Sequence, residues 1–137
     1  MVVDAAFHIY RGLGPGLLES VYEAVLSQSL HQRGLHVQRQ KAVTFEYGGM
    51  RFSQGLRVDL VVEDCLLVEL KSVEMLAPVH PKQVLTYLRL MNYSLGLLLN
   101  FGAGRFDQVV RRIVNNHTDF ANSRLRVNQM KREDTSR

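Results

Sequence analysis

An α/β domain is what these 137 residues predict, on three observations. Residues 58–71, Val-Asp-Leu-Val-Val-Glu-Asp-Cys-Leu-Leu-Val-Glu-Leu-Lys, hold two apolar, β-branched runs around a short polar break, the pattern of consecutive strands joined by a tight turn. Residues 95–101 form an unbroken apolar run between Ser94 and Gly102, which marks a strand buried on both faces inside a sheet. Several other segments repeat apolar residues at three- and four-residue intervals, the spacing of helices. The length suits one domain with a real core and is short for two.

Residues 2–11 place Val2, Ala6, Ile9 and Tyr10 at helical spacing. They run into Gly12-Leu13-Gly14-Pro15-Gly16, a helix-to-helix turn. No strand precedes these glycines and no Lys-Ser or Lys-Thr follows, so a phosphate-cradling loop is set aside. A second helix is expected from about Pro15 to about Arg33, with Leu18, Val21, Tyr22, Val25 and Ser29 facing inward. Residues 36–47 favour extended structure, Gly48-Gly49 turns the chain into 50–52, and Ser53, Gln54 and Gly55 mark a bulge or loop before the next strand. After Lys71, residues 72–78 connect to a helix over 79–92, carried by Val84, Leu85, Leu88 and Met91. His80, between Val79 and Pro81, suits a capping or surface position better than acid-base work. Beyond the buried strand, Phe106, Val109, Val110 and Ile113 outline a last helix. Past Asn115 the apolar period fades, so 1–115 is expected as the folded domain and 116–137 as a basic, mobile tail.

The chemistry centres on residues 58–71, because Asp59, Glu69 and Lys71 are charged residues within segments otherwise fit for burial, where an unpaired charge is expensive. Glu69 and Lys71 share one face of their strand. A three-residue loop of Glu63, Asp64 and Cys65 pairs Val62 with Leu66 and sets Asp59 opposite Glu69. A two-residue loop would send Glu69 to the other face. With the odd loop, two carboxylates meet and raise each other's pKa unless a cation sits between them. Oxygen-only ligands favour Mg²⁺ or Mn²⁺ over zinc. The plainer reading is solvated edge charges or a Glu69–Lys71 ion pair that only stabilises the fold.

Glu19 near the start of the second helix is favoured there by the helix dipole alone, and would otherwise reach toward Asp59 as a ligand or water-positioning base. Gln83 and Tyr87 lie one turn apart and face the same way; such residues are ordinarily a surface amide and a core-edge aromatic.

Hydrophobic residues at 46% and charged residues at 22% fit a globular domain rather than a disordered or fibrous chain. No apolar stretch is long enough to span a bilayer and no charged-then-apolar leader opens the chain, so no membrane role and a cytoplasmic location are expected. Cys65 is the single cysteine, which excludes an intrachain disulfide and a cysteine-cluster zinc site. A net charge of +4, with Arg111, Arg112, Arg124, Arg126, Lys131, Arg132 and Arg137 late in the chain, permits a polyanionic partner without requiring one.

Gly16-Leu17-Leu18-Glu19-Ser20-Val21-Tyr22 resembles the signature of the GxxExxY protein family, a branch of the PD-(D/E)XK nuclease-like superfamily. The similarity continues through Arg57-Val58-Asp59, Val68-Glu69-Leu70-Lys71, Pro78-Val79-His80, Gln83 to Tyr87, and Leu95-Gly96-Leu97-Leu98-Leu99-Asn100-Phe101. It implies a restriction-endonuclease-like core, a mixed, roughly four-stranded sheet flanked by helices. By that resemblance Asp59, Glu69 and the carbonyl of Leu70 hold the metal. Lys71 orients or activates the attacking water and steadies the charge on phosphorus. Glu19 matches the helical acid of the first motif, and Gln83 with Tyr87 matches a Gln-x-x-x-Tyr element. Two departures stand out: Val58 replaces the proline before the aspartate, and Tyr10-Arg11 stands where many members have His-Arg. The expected activity is metal-dependent hydrolysis of phosphodiesters in DNA or RNA, with room for a homodimer. The alternative is a catalytically silent nucleic-acid-binding or protein-interaction module on the same fold.

Overall fold

The computed structural model describes residues 1–116. Its elements run α1 (Val2–Leu13), α2 (Glu19–Gln32), β1 (Val37–Tyr47), β2 (Met50–Val62), β3 (Leu66–Lys71), α3 (Val79–Met91), β4 (Leu95–Asn100) and β5 (Val110–Val114), with a 3₁₀ turn at Phe106–Gln108 before the last strand. The strands form one sheet in the order β1-β2-β3-β4-β5. β3 and β4 are parallel, with α3 as their crossover, and every other neighbouring pair is antiparallel.

The expected α/β layering holds, with two hydrophobic cores on opposite faces. α1 and α2 bury Ala5, Ala6, Ile9, Tyr22, Leu26 and Leu30 against Leu60, Leu70, Leu97 and Leu99. On the other face α3 packs Val84 and Leu88 over Val61, Leu67 and Leu98. β4 contributes to both, as its unbroken apolar run requires. At the start of α3 the Ala77 N–H donates to His80 Nδ1 at 3.1 Å, so His80 fastens the chain just ahead of the helix. Among the described residues, no helix is long and apolar enough to cross a membrane.

Three expectations are corrected. The sheet has five strands rather than four, because residues 110–114 form β5 instead of a last helix. Val109, Val110, Ile113 and Val114 satisfy a helical spacing, but they are β-branched, and pairing Leu99 with Val110 and Leu95 with Val114 satisfies the backbone of what would otherwise be an edge strand. α2 begins at Glu19, not Pro15, since Gly14 (φ 70) and Gly16 (φ 107) adopt backbone angles no helix contains. Its buried side is Tyr22, Glu23, Leu26 and Leu30; Leu18, Val21 and Val25 face solvent instead.

β1 and β2 form a long hairpin around Gly48 (φ 59) and Gly49 (φ 79), the left-handed pair of a two-residue turn. Between the pairs Val43–Leu56 and Phe45–Phe52 the register slips, leaving Ser53, Gln54 and Gly55 opposite Thr44 alone. The expected irregularity is there, as a bulge inside a continuous β2.

Candidate active site

The ladder between β2 and β3 pairs Val62 with Leu66, Val61 with Leu67 and Leu60 with Val68. This is the register of the three-residue loop: Glu63 and Asp64 take positive φ angles of 53 and 54, and the Cys65 N–H donates to the Val62 carbonyl at 3.1 Å. One step further along that register, Asp59 comes opposite Glu69, and there side chains replace the backbone bonds. The Asp59 N–H donates to Glu69 Oε1 at 2.9 Å, and the Leu70 N–H donates to Asp59 Oδ2 at 2.9 Å. Each carboxylate is thus fixed by the other strand's main chain, and both lie where the strands part.

Glu69 is 6% exposed. Its carboxyl is pushed up to about 8, first by burial and then by the charge of Asp59, against the opposing effects of the Asp59 amide and the Lys71 ammonium. Lys71 is half-buried at the end of β3, where it pairs with Asn100 of β4. Among the described residues Lys71 makes no ion pair, so a structural Glu69–Lys71 bridge is not what holds it. Its ammonium is near enough to act on Glu69 and remains available to a ligand.

α3 lays its Gln-x-x-x-Tyr pair over the same place. The Tyr87 hydroxyl is raised above its ordinary range by burial, and further by the charges of Glu69 and Asp59, while hydrogen bonding with Gln83 eases it. A protonated phenol therefore faces the two acids. The fold brings Asp59, Glu69, Leu70, Lys71, Gln83 and Tyr87 into one neighbourhood.

Glu19 is not joined to them. It is exposed on the first turn of α2, lining a cleft of about 380 Å³ with Leu17, Leu18, Ser20 and Ser72. Neither a hydrogen bond nor an ion pair links it to Asp59 or Glu69. The rest of its motif builds a turn: the Tyr22 hydroxyl donates to the Gly14 carbonyl at 2.5 Å and accepts from the Leu17 N–H at 3.2 Å, while its ring stacks on Phe101 at 4.5 Å.

The helical acid that does approach is Glu23, one turn further along α2 and 6% exposed. Arg39 Nε donates to its Oε2 at 3.2 Å and Gln40 Nε2 to its Oε1 at 2.6 Å. The same Gln40 nitrogen reaches Asp59 Oδ1 at 3.1 Å. Glu23 was visible in the sequence as an acid on the stripe of Tyr22, Leu26 and Leu30, a position that calls for partners. Gln40 carried no such signal.

Asn100 was also missed as a structural residue. Buried at the end of β4, its Oδ1 accepts from the Val73 N–H at 3.0 Å and the Gly102 N–H at 3.1 Å. A Cβ on Gly102 would lie 2.4 Å from the Val73 carbonyl oxygen. Asn100 and Gly102 together fix the segment leaving Lys71.

Among the described residues no three His, Cys, Asp or Glu side chains converge as a ready-made metal cage. The donor set nonetheless suits a hard divalent cation, because two carboxylates are locked together in a half-desolvated place with no cationic side chain bonded to either among the described residues. The raised Glu69 carboxyl reflects burial first and the neighbouring Asp59 charge second.

No curated protein and no solved structure matches the chain. The family model described as the PD-(D/E)XK nuclease superfamily matches residues 1–113. The Asp59–Glu69–Lys71 constellation, set on a mixed sheet between helices, lies within that match, and the chain belongs to the PD-(D/E)XK nuclease superfamily.

Proposed function

We propose that this chain is a metal-dependent nuclease hydrolysing phosphodiester bonds in DNA or RNA, and that it stands in the GxxExxY branch of its superfamily. The observation that carries this is the pair of bonds in which the Asp59 amide holds the Glu69 carboxylate and the Leu70 amide holds the Asp59 carboxylate, with Lys71 two residues beyond Glu69. Asp59, Glu69 and the Leu70 carbonyl would hold Mg²⁺ or Mn²⁺. When bound, such a cation supplies charge neutralisation at phosphate and lowers the pKa of water.

The protein's own groups do the rest. Glu69 gives up its proton on taking a cation, since an ionised carboxylate is the ligand. Lys71, with no carboxylate partner among the described residues, directs its ammonium to the phosphate oxygens and the attacking water, where a fixed positive charge lowers the barrier. Tyr87 and Gln83 donate toward the same charges from α3. Glu19, exposed at the edge of its own cleft, takes no part in the bond-breaking step on this reading.

The experiment is cleavage of single- and double-stranded DNA and RNA by purified protein with Mg²⁺ or Mn²⁺, alongside Glu69→Ala. Metal-dependent cutting that Glu69→Ala abolishes supports the enzyme. Metal-independent retention of nucleic acid without cutting, unchanged in Glu69→Ala, supports the silent binding module instead.

A further inference from the structure

Gln40 interrupts β1 with φ 49, in the left-handed region that residues other than Gly, Asn and Asp seldom enter. Its neighbours are regular: Arg39 pairs with Leu60 and Lys41 with Val58, which leaves Gln40 across from Asp59. β2 is disturbed at the same level. Val58 packs in the core under α3 and Leu60 in the core under α1 and α2, although two residues apart on a regular strand would share a face. Arg57 Nη1 donates to the Gln40 carbonyl at 2.7 Å, so the turned backbone is held from the partner strand.

The departure sets the direction of one amide. Gln40 Nε2 donates to Glu23 Oε1 at 2.6 Å and to Asp59 Oδ1 at 3.1 Å, joining an acid on α2 to an acid on β2. Ionised carboxylates only accept hydrogen bonds, so the nitrogen rather than the oxygen of the amide faces them. A lysine or arginine there would also satisfy both acids, but its charge would repel a cation approaching Asp59. A neutral donor orients Asp59 and leaves its attraction for a cation intact, while Glu23 is already paired with Arg39.

We infer that Gln40 is a positioning residue, whose left-handed backbone aims its amide to fix the Asp59 carboxylate for a divalent cation and to tether Glu23 beside it. This inference rests on the nuclease reading above, and the following experiment separates the two. Gln40→Gly removes the amide and suits the backbone angle; Gln40→Asn tolerates the angle and keeps an amide, one methylene too short to bridge. Melting temperature in chelator, Mn²⁺ affinity by calorimetry, and kcat and KM for nucleic acid are measured on each. The expected result is melting at or above the wild-type temperature, a Mn²⁺ dissociation constant raised about tenfold or more, and kcat lowered with KM unchanged. Wild-type Mn²⁺ affinity in both variants overturns the inference, as does lowered melting with metal binding untouched, which would make Gln40 a purely structural kink. A wild-type protein that binds no Mn²⁺ overturns the nuclease reading first, and the role of Gln40 with it.

Discussion

At Glu69 burial and the neighbouring Asp59 act in the same direction, and the consequence is a definite dependence of stability on pH. The carboxyl moves from an ordinary 4.5 to about 8 on folding, so the folded chain holds a proton that the unfolded chain has released. Between those two values the unfolded state binds fewer protons, and metal-free stability falls as pH rises; below 4.5 the contribution is intact and above 8 it is gone. The loss is on the order of a few kcal/mol. Urea unfolding in chelator at pH 5 and pH 8 checks it: wild type is expected to weaken over that range, and Glu69→Gln to change much less. Equal responses would mean that Glu69 is not the group that titrates. Lys71 gives the opposite kind of test. Because it makes no ion pair among the described residues, Lys71→Met is expected to shift stability by no more than about 0.5 kcal/mol. The same change is expected to lower kcat by about a hundredfold or more, measured against wild type on whichever nucleic acid is cut.

Two connections position the site at the level of elements. The first is the odd loop between β2 and β3, which decides that Asp59 and Glu69 meet. Its outcome was legible because side-chain alternation leaves only two registers to choose between, and only the three-residue loop lets the acids converge. The second is the turn from α1 into α2. Here the signature residues are better explained by architecture than by catalysis: Gly14 and Gly16 supply the backbone angles, and Tyr22 ties the turn while stacking on Phe101 beyond β4. Tyr22→Phe keeps the stack and removes both hydroxyl bonds, so denaturant unfolding is expected to show a loss of about 1–3 kcal/mol with Mn²⁺ affinity unchanged. A loss of metal binding without a loss of stability would contradict that division of labour. Glu23 could have been read from the Tyr22, Leu26 and Leu30 stripe, but two apolar stripes compete along this helix, and the one through Leu18, Val21 and Val25 reads as the inner face. With the helix starting at Glu19, Leu18 lies outside it and no longer anchors that stripe, which leaves Val21 and Val25 exposed and Glu23 on the buried side.

For the molecule as a whole, the sheet and its two cores gather pieces of β1, β2, β3, α2 and α3 around one place, and almost all of that chain lies within the superfamily match. The strong periodic and continuous apolar segments announced this layout, since α1, β3, α3 and β4 each bury or half-bury the residues their patterns marked. Residues 106–114 did not, because Phe106, Val109, Val110 and Ile113 fit a helical stripe as well as a strand. Long-range pairing with β4 decided between them, and no local pattern contains that information. Gln40 was illegible for a related reason: the acids its amide bonds, Asp59 on one strand and Glu23 on a helix, are both far from it in sequence. Residues 117–137, the greater part of the expected basic tail, lie outside the described residues.

The central claim is that Asp59 and Glu69 share one divalent cation where β2 and β3 part. Anomalous diffraction from crystals soaked in Mn²⁺ at pH 8 tests it most directly. A single strong peak in contact with both carboxylates is expected, absent from crystals of Asp59→Asn. A fully occupied peak elsewhere on the chain, or none at a Mn²⁺ concentration that supports cleavage, would contradict it.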